Sequence, residues 1–371
     1  MTKPIASVVV DTYNHERYIE QAIVSVLEQG LSPSEMEVIV VDDGSTDNTP
    51  SVVQKFVPRV RHLRKKNGGQ ASAFNAGIAE SRAPVVAFLD GDDWWAKDKV
   101  SISLEALERN PDAAAIGHGY FEIFDDGERY VVTPQHACRL DLSTENAART
   151  ASLGRNFLGG SMISIRRRVL NRMGPIPEEL TFSADSPIAN AALALGGAII
   201  LDQPLCYYRM HSGNLFSFRS TDESKLRRRN EALALVAETV PRQLAAMGVP
   251  KEVVTALFEE DWLQVHRFQL QYGQGSRWKT FLAERKAYRI TYKNPTAGYA
   301  LFKWLVGAVT LLLPSRRFYE LRAWYARRNM DRVRRIIGDA DLVHSQTFTQ
   351  KRKITPGPPS GAPEGGDSTG S

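Results

Sequence analysis

Asp90, Asp92 and Asp93 fall within four consecutive positions, in the stretch FLDGDDWW at 88–95. Carboxylates so close repel one another unless a positive charge lies among them. A hard divalent ion of the Mg2+ or Mn2+ kind fits, since it takes one or two protein carboxylates and completes its shell with water and phosphate oxygens. Such an ion turns mutual repulsion into attraction for an anionic ligand. The acids follow PVVAFLD at 84–90, an apolar run with the composition of a buried strand. Where the chain stays extended, alternation puts Asp90 and Asp92 on one side. Gly91 between them allows close backbone approach. The same residues also suit a plain solvated acidic turn, so their meaning depends on their surroundings.

The elements that must position them are readable. ASVVV at 6–10 and EVIVV at 37–41 are β-branched runs typical of buried strands. A helix is expected between them, with Asn14 as its N-cap, an apolar face of Ile19, Ala22, Ile23, Val26 and Leu27, and Gly30 as its stop. A second helix is expected with Thr49 as cap and Pro50 at its first position. Further strands are expected at 113–124, 161–166 and 198–202. Strands alternating with helices predict an α/β fold with a mostly parallel sheet covered on both faces. Ligands of such sheets bind at the carboxyl ends of the strands, which is where Asp90 and Asp92 stand.

At 371 residues the chain has room for about two domains, and 43% hydrophobic with 24% charged residues excludes wholesale disorder. Cys138 and Cys206 are too few for a disulfide framework, and MTKPIASVVV carries no apolar leader, so a reducing cytoplasmic setting is expected. Charge is uneven: residues 1–221 hold 22 Lys and Arg against 27 Asp and Glu, a net of −5, whereas 222–353 hold 25 against 13, a net of +12. From 222 the pattern is helical. The run at 299–314 is nearly all apolar yet shorter than the roughly 20 residues that span a bilayer. It reads equally as a core helix or as a contact with an anionic membrane surface. In the second case Tyr299, Lys303 and Trp304 would lie at the interface, with the Arg-rich helix that follows facing lipid. No base-reading motif accompanies the positive charge, so nucleic acid is not an expected partner. The partition expected is a nucleotide-binding catalytic domain at 1–220, a basic helical extension at 221–345 and a disordered Pro/Gly/Ser-rich tail at 346–371.

TYNHERYI (12–19), VVDDGSTDNT (40–49), NGGQASAFNAGIAESRAPVVAFLDGDDWW (67–95), LGGSMISIRR (158–167) and YYRMHSGN (207–214) occur in that order. Together they resemble the inverting glycosyltransferases of family 2, which have the Rossmann-like GT-A fold, over roughly residues 5–215. The resemblance implies a nucleotide-sugar donor and a saccharide or lipid-linked acceptor. It puts Thr12 and Tyr13 against the base and ribose, Asp43 on a uracil-type N–H, and Lys66, Gly69 and Asn75 in the lining of the nucleotide pocket. Asp90, beside Gly91, would accept from the ribose hydroxyls and Asp92 would bind the metal, with His211 as a further ligand or a diphosphate contact. Asp185 stands where the family keeps its catalytic base, with Glu178 and Glu179 as substitutes. Gly159 and Gly160 would give access to the sugar, and Trp94 is a sugar platform or a wall.

Two departures stand out: Asp11 where a proline is common, and Ala184 where another acid is usual. The Gln-x-x-Arg-Trp motif of processive synthases does not occur within the resembling stretch, and the one match to that pattern, QGSRW at 274–278, lies in the basic helical extension; transfer of one sugar at a time is expected. Two alternatives remain open from the residues: a D-x-D phosphoryl-transfer hydrolase, in which Trp94 would occupy the usual Thr/Val place, and a degenerate scaffold that keeps only the fold.

Overall fold

The computed structural model describes residues 3–142, 147–211, 214, 223–273, 275–291, 297–322, 324 and 349–354. Its first half alternates strand and helix as the β-branched runs require: β1 (Ala6–Thr12), α1 (Ile19–Leu27), β2 (Met36–Asp42), α2 (Thr49–Gln54), β3 (Arg61–Arg64), α3 (Gln70–Glu80) and β4 (Val85–Asp90). There follow β5 (Trp94–Trp95), α4 (Lys99–Arg109), β6 (Ala115–Phe124), β7 (Arg129–Pro134), β8 (Cys138–Leu140) and α5 (Ala147–Phe157). A 3-10 turn at Gly160–Met162 leads into β9 (Ser164–Arg166), α6 (Arg167–Met173), α7 (Asp185–Ala194) and β10 (Ala198–Met210).

These strands form one mixed sheet. β3, β2, β1 and β4 are parallel neighbours; β9 runs antiparallel between β4 and β6, and β7 lies antiparallel outside β6. β10 is parallel to β6 and antiparallel to β5 and β8. Residues alternate across the sheet with period two. Val9, Ile39, Val41, Val86 and Phe88 pack on one face, with Phe74 of α3. Val8, Val10, Val38, Val40 and Leu89 pack on the other, with Ile19 and Ile23 of α1. The parallel register sets Asp11 beside Asp90 and Thr12 beside Asp42, so the acidic strand ends line up along one edge.

Close approach of α3 to β1 depends on Gly77, where an added Cβ would lie 2.3 Å from Val9 Cγ1. Gly77→Ala is therefore expected to destabilise by about 1–3 kcal/mol, the usual cost of overpacking. That exceeds the gain of up to about 1 kcal/mol in helix propensity. A lowered urea midpoint would register it, and Val9→Ala in the same chain should recover most of the loss.

Several local expectations are corrected. Asn14 does not cap α1, which starts at Ile19. Asn14 has φ 56° and its Oδ1 accepts from Thr46 N–H at 2.8 Å, tying the 13–16 loop to the 45–49 loop. Thr49 is the first residue of α2 rather than its cap; its hydroxyl accepts from His15 N–H at 2.9 Å. The strand expected at 161–166 is a turn followed by Ser164–Arg166. The strand expected at 198–202 runs on to Met210 through irregularities in register at Leu201, Pro204 and Cys206.

The helical extension comprises α8 (Glu223–Ala246), α9 (Lys251–Tyr272), α10 (Arg277–Thr291) and α11 (Ala297–Leu312). Val236, Val240, Leu257 and Phe258 of α8 and α9 join the core beneath α5 and α7, so packing is continuous across the boundary expected at 220. The end of α9, with α10 and α11, has its own small core around Leu263, Leu270, Ala283 and Phe318. The basic helix expected after 314 is described to 322 and at 324. The tail is not uniformly irregular: Thr349–Lys353 forms β11, antiparallel to β7, with Lys351 paired to Glu122 and Lys353 to Glu128. The rest of the expected tail lies outside the described residues.

Candidate active site

Asp90 closes β4 and meets the side chain of Asp11 across the parallel pair. Its Oδ1 accepts from Gln70 Nε2 at 3.2 Å. Burial raises the Asp90 carboxyl to about 7, helped by the charges of Asp92 and Asp185 and opposed by its bonds to Asp11 and Gln70. Burial, then Asp90, pushes Asp11 well above the carboxylate range. The cluster thus resists full ionisation, as carboxylates gathered without a counter-charge must.

Asp92 behaves oppositely. Burial would raise it, but the hydrogen bond from His211 and the charges of His15 and His211 together bring it below the ordinary value. His211 Nε2 lies 2.9 Å from Asp92 Oδ2, and His15 Nε2 lies 4.0 Å from the same oxygen. Asp93 is buried and its oxygens are engaged: Oδ2 accepts from Ser161 Oγ at 2.6 Å and Oδ1 from Arg209 N–H at 2.8 Å. It therefore binds the acidic turn to β10 and to the 3-10 turn.

Asp185 begins α7, across from Asp90. Its Oδ2 accepts from Gly160 N–H at 3.2 Å. Burial raises its pKa against that hydrogen bond. Gly160 is small for a steric reason, whereas Gly159 is not tightly enclosed on the side of the acids. A Cβ at Gly160 would stand 2.9 Å from Asp90 Oδ1, and one at Gly159 3.5 Å from Asp185 Oδ2. Glu178 and Glu179 are exposed. Gln70 spans the gap, donating to Asp90 while its Oε1 accepts from Ala184 N–H at 3.1 Å. Ala184 is fully buried.

Asp43 shapes the loop that precedes α3. It accepts from Lys65 Nζ at 2.6 Å and from the N–H groups of Gly68 and Gly69 at 2.7–3.1 Å. Gly69 has φ +84°, and a Cβ there would lie 2.8 Å from Thr181 Cα. Thr12 is buried at the end of β1, with its hydroxyl unpartnered, and Tyr13 beside it is 44% exposed.

Asn75 is engaged away from the acids, and Trp94 has the second of its two expected roles. The Asn75 amide donates to and accepts from the Ile176 backbone at 2.8 Å, splinting α3 to the segment before α7. Lys66 is exposed, and its neighbour Lys65 carries the contact to Asp43. Trp94 is a wall. Its ring stacks on Tyr207 at 5.0 Å, and the Arg209 guanidinium lies 4.5 Å from its centroid. Arg209 in turn reaches Tyr18 at 4.6 Å and donates to the Asp92 carbonyl at 2.9 Å.

His15 and Gln70 were not singled out in the sequence. Both lie inside quoted motifs, but their work depends on partners distant in sequence.

The residues at Asp92 fit a divalent ion. Neighbouring ligands of a six-coordinate ion at about 2.1 Å stand about 3.0 Å apart, the spacing of His211 Nε2 and Asp92 Oδ2. His15 Nδ1, Thr12 Oγ1 and Asp11 Oδ1 are buried without hydrogen-bond partners nearby. A Cβ at Gly91 would crowd Thr12 Oγ1 and His15 Nδ1 at 2.8 and 2.9 Å. Asp90, Asp92 and Asp93 offer oxygens within 4.8 Å of one another, but Asp93 is already engaged.

The raised pKa of Asp90 has a measurable consequence for the metal-free protein. A carboxyl whose folded pKa lies above its unfolded value contributes stability below about pH 4, and that contribution is lost as pH rises through about 7. Melting temperature in chelator should fall by several degrees across that window, and Asp90→Asn should flatten the fall. An unchanged slope in the variant would show that Asp90 is not the group titrating.

The fold is that of GT-A glycosyltransferases. A crystal structure of TarS residues 1–349 from S. aureus, in complex with UDP-GlcNAc, superposes with a TM-score of 0.52 at 18% identity, over 87% of this chain and 92% of that one. Residues 7–174 match the family model of glycosyl transferase family 2, as the sequence motifs imply. An uncharacterised glycosyltransferase of Nostoc sp. is 34% identical over 215 residues, 56% of this chain and 65% of its own length. The uncharacterised glycosyltransferase EpsJ of Bacillus subtilis is 29% identical over 57% of this chain and 63% of its own length. The chain thus spans just under two thirds of each of these relatives. The match runs through the acidic stretch at 90–93, which counts against the phosphoryl-transfer hydrolase.

Proposed function

We propose that the chain is a metal-dependent, non-processive inverting glycosyltransferase. It would move one hexosyl unit from a UDP-type sugar to a hydroxyl of a saccharide or lipid-linked acceptor, in cell-surface polysaccharide or glycoconjugate synthesis. The observation that carries this reading is the meeting of Asp90, Asp92 and His211 at the strand ends with Asp185 facing them at the Gly160 turn. The TarS complex with UDP-GlcNAc, on the same fold, supports a uridine donor.

Asp92 and His211 would hold Mg2+ or Mn2+, with His15 within reach. When bound, the ion supplies positive charge against the diphosphate as it departs. Tyr13 is free to cover the base at the mouth of the cleft, and Asp90 accepts from the ribose. Asp185 takes the proton of the acceptor hydroxyl, whose oxygen attacks the anomeric carbon from the side opposite the diphosphate. The new glycosidic C–O bond forms as the bond to the diphosphate oxygen breaks, and nucleoside diphosphate leaves with the electron pair. Burial of Asp185 serves this role by bringing its basicity toward that of a useful base.

Calorimetry with a panel of nucleoside diphosphate sugars and Mn2+, repeated in chelator, tests the reading. Metal-dependent binding of a uridine donor, with diphosphate release that requires an acceptor, is expected. Failure of every donor to bind would overturn it.

A further inference from the structure

α11 is finished on one side only. Thr310 and Gly307 are buried, and a Cβ added at Gly307 would lie 3.7 Å from the Phe281 ring of α10. Val306 and Val309 pack on the small core beneath. That inner side is braced by Glu284, which accepts from Arg267, Arg322 and the Tyr319 hydroxyl at 2.8–3.2 Å. The outer side is apolar and open. Leu301, Trp304, Leu305 and Leu312 recur at helical spacing and are 60, 53, 52 and 74% exposed. Trp278 and Leu282 of the adjoining α10 are exposed too, at 58 and 50%. α11 contains no acidic residue.

Basic side chains gather at one end of this face. Ser315 bonds to Thr280 and to the Gly275 carbonyl, so the segment after α11 lies against the start of α10. Exposed Arg316 and Arg317 are thereby brought to the end of the pair that carries exposed Arg277 and Lys279. Among the described residues, Glu320 pairs with Arg316 there, at 3.0 Å.

We propose that this face is a docking surface for a bilayer containing anionic lipid. α11 would lie in the interfacial plane with its outer leucines and Trp304 among the acyl chains and the basic end against headgroup phosphates. Spanning is excluded by length: 16 residues of helix reach about 24 Å, short of the roughly 30 Å of hydrocarbon. Among the described residues no helix is long and apolar enough to cross a membrane. Charge selects the occupant. Residues 223–322 hold 17 Lys and Arg against 9 Asp and Glu, a net of +8, while residues 1–221 carry −5, so an anionic sheet draws the helical half toward itself and turns the acidic half away. A second copy on the same face would set two strongly basic halves against each other. The inference does not depend on which sugar is moved, or on transfer at all.

The full chain is mixed with sucrose-loaded vesicles of phosphatidylcholine, with and without phosphatidylglycerol, and sedimented. Binding is expected with the anionic vesicles, weakening as salt rises, and little with phosphatidylcholine alone. Leu301→Glu with Leu305→Glu should lower the partition constant at least about tenfold, because two leucine burials are lost. Both positions face outward, so circular dichroism and melting temperature should not change. Arg277→Glu with Lys279→Glu should reduce binding to anionic vesicles and flatten its salt dependence. Absence of binding, or binding untouched by the leucine substitutions, overturns the proposal. Equal binding to uncharged vesicles overturns its electrostatic part. A dimer in solution that the leucine substitutions break assigns the face to a second copy instead.

Discussion

Asp185→Asn is expected to hold its donor and lose the transfer. The carboxylate is buried at the first turn of α7, and its contact to Gly160 N–H can be kept by an amide oxygen. The fold and the donor cleft should therefore survive. The amide cannot take up the acceptor proton. Removing a general base typically costs about 10²–10⁴-fold, so turnover should fall by at least about 10²-fold at unchanged donor affinity. A pH profile sharpens the test. The base works deprotonated, so activity falls as pH drops through its pKa. Burial sets that acid limb above the ordinary carboxylate value of about 4. The residual activity of the variant should lack the limb. Full activity would move the base elsewhere, with the exposed Glu178 and Glu179 next to be tried.

Asp92→Asn should abolish metal-dependent donor binding. The substitution is nearly isosteric and leaves a partner for His211, so a folding defect is not expected. What disappears is the negative charge between His15 and His211. Partners of ligands already matter by 10–100-fold in metal affinity, so loss of a ligand should cost at least about 10²-fold. Free Mn2+ measured by electron paramagnetic resonance reads this without any turnover. Unchanged Mn2+ affinity would remove Asp92 from the metal site.

The sheet was legible because its central strands are sorted by burial alone. Val8, Val9 and Val10 carry no polar atoms to compete with the ladder, and the acids that follow mark where each strand leaves the core. β10 was read too short because Asp202, Gln203 and Pro204 look like a turn. They form an irregular stretch along β6, between the parts of β10 that pair with β8 and with β5. β11 was read as tail because Lys351, Arg352 and Lys353 look solvated; their partners, Glu122 and Glu128, lie more than 200 positions earlier. In the site, Asp90, Asp92, His211 and Asp185 could be named from motif position. The pairing of Asp11 with Asp90, and the bridge from Gln70 to Ala184, follow from register and loop geometry that no local pattern encodes. For Trp94 the sequence leaves platform and wall open, and only the stacking of Tyr207 and Arg209 on its ring decides for the wall.

β11 carries a practical implication for handling the protein. Val131 and Val132 of β7 are buried with Thr349–Lys353 in place. Trimming the chain before 349, or a bulky fusion that prises those residues loose, would bare a row of amides and carbonyls beside two valines. Unpaired borders of that kind recruit other chains. Shortened versions should therefore be watched for concentration-dependent clumping before any loss of turnover is blamed on the catalytic acids.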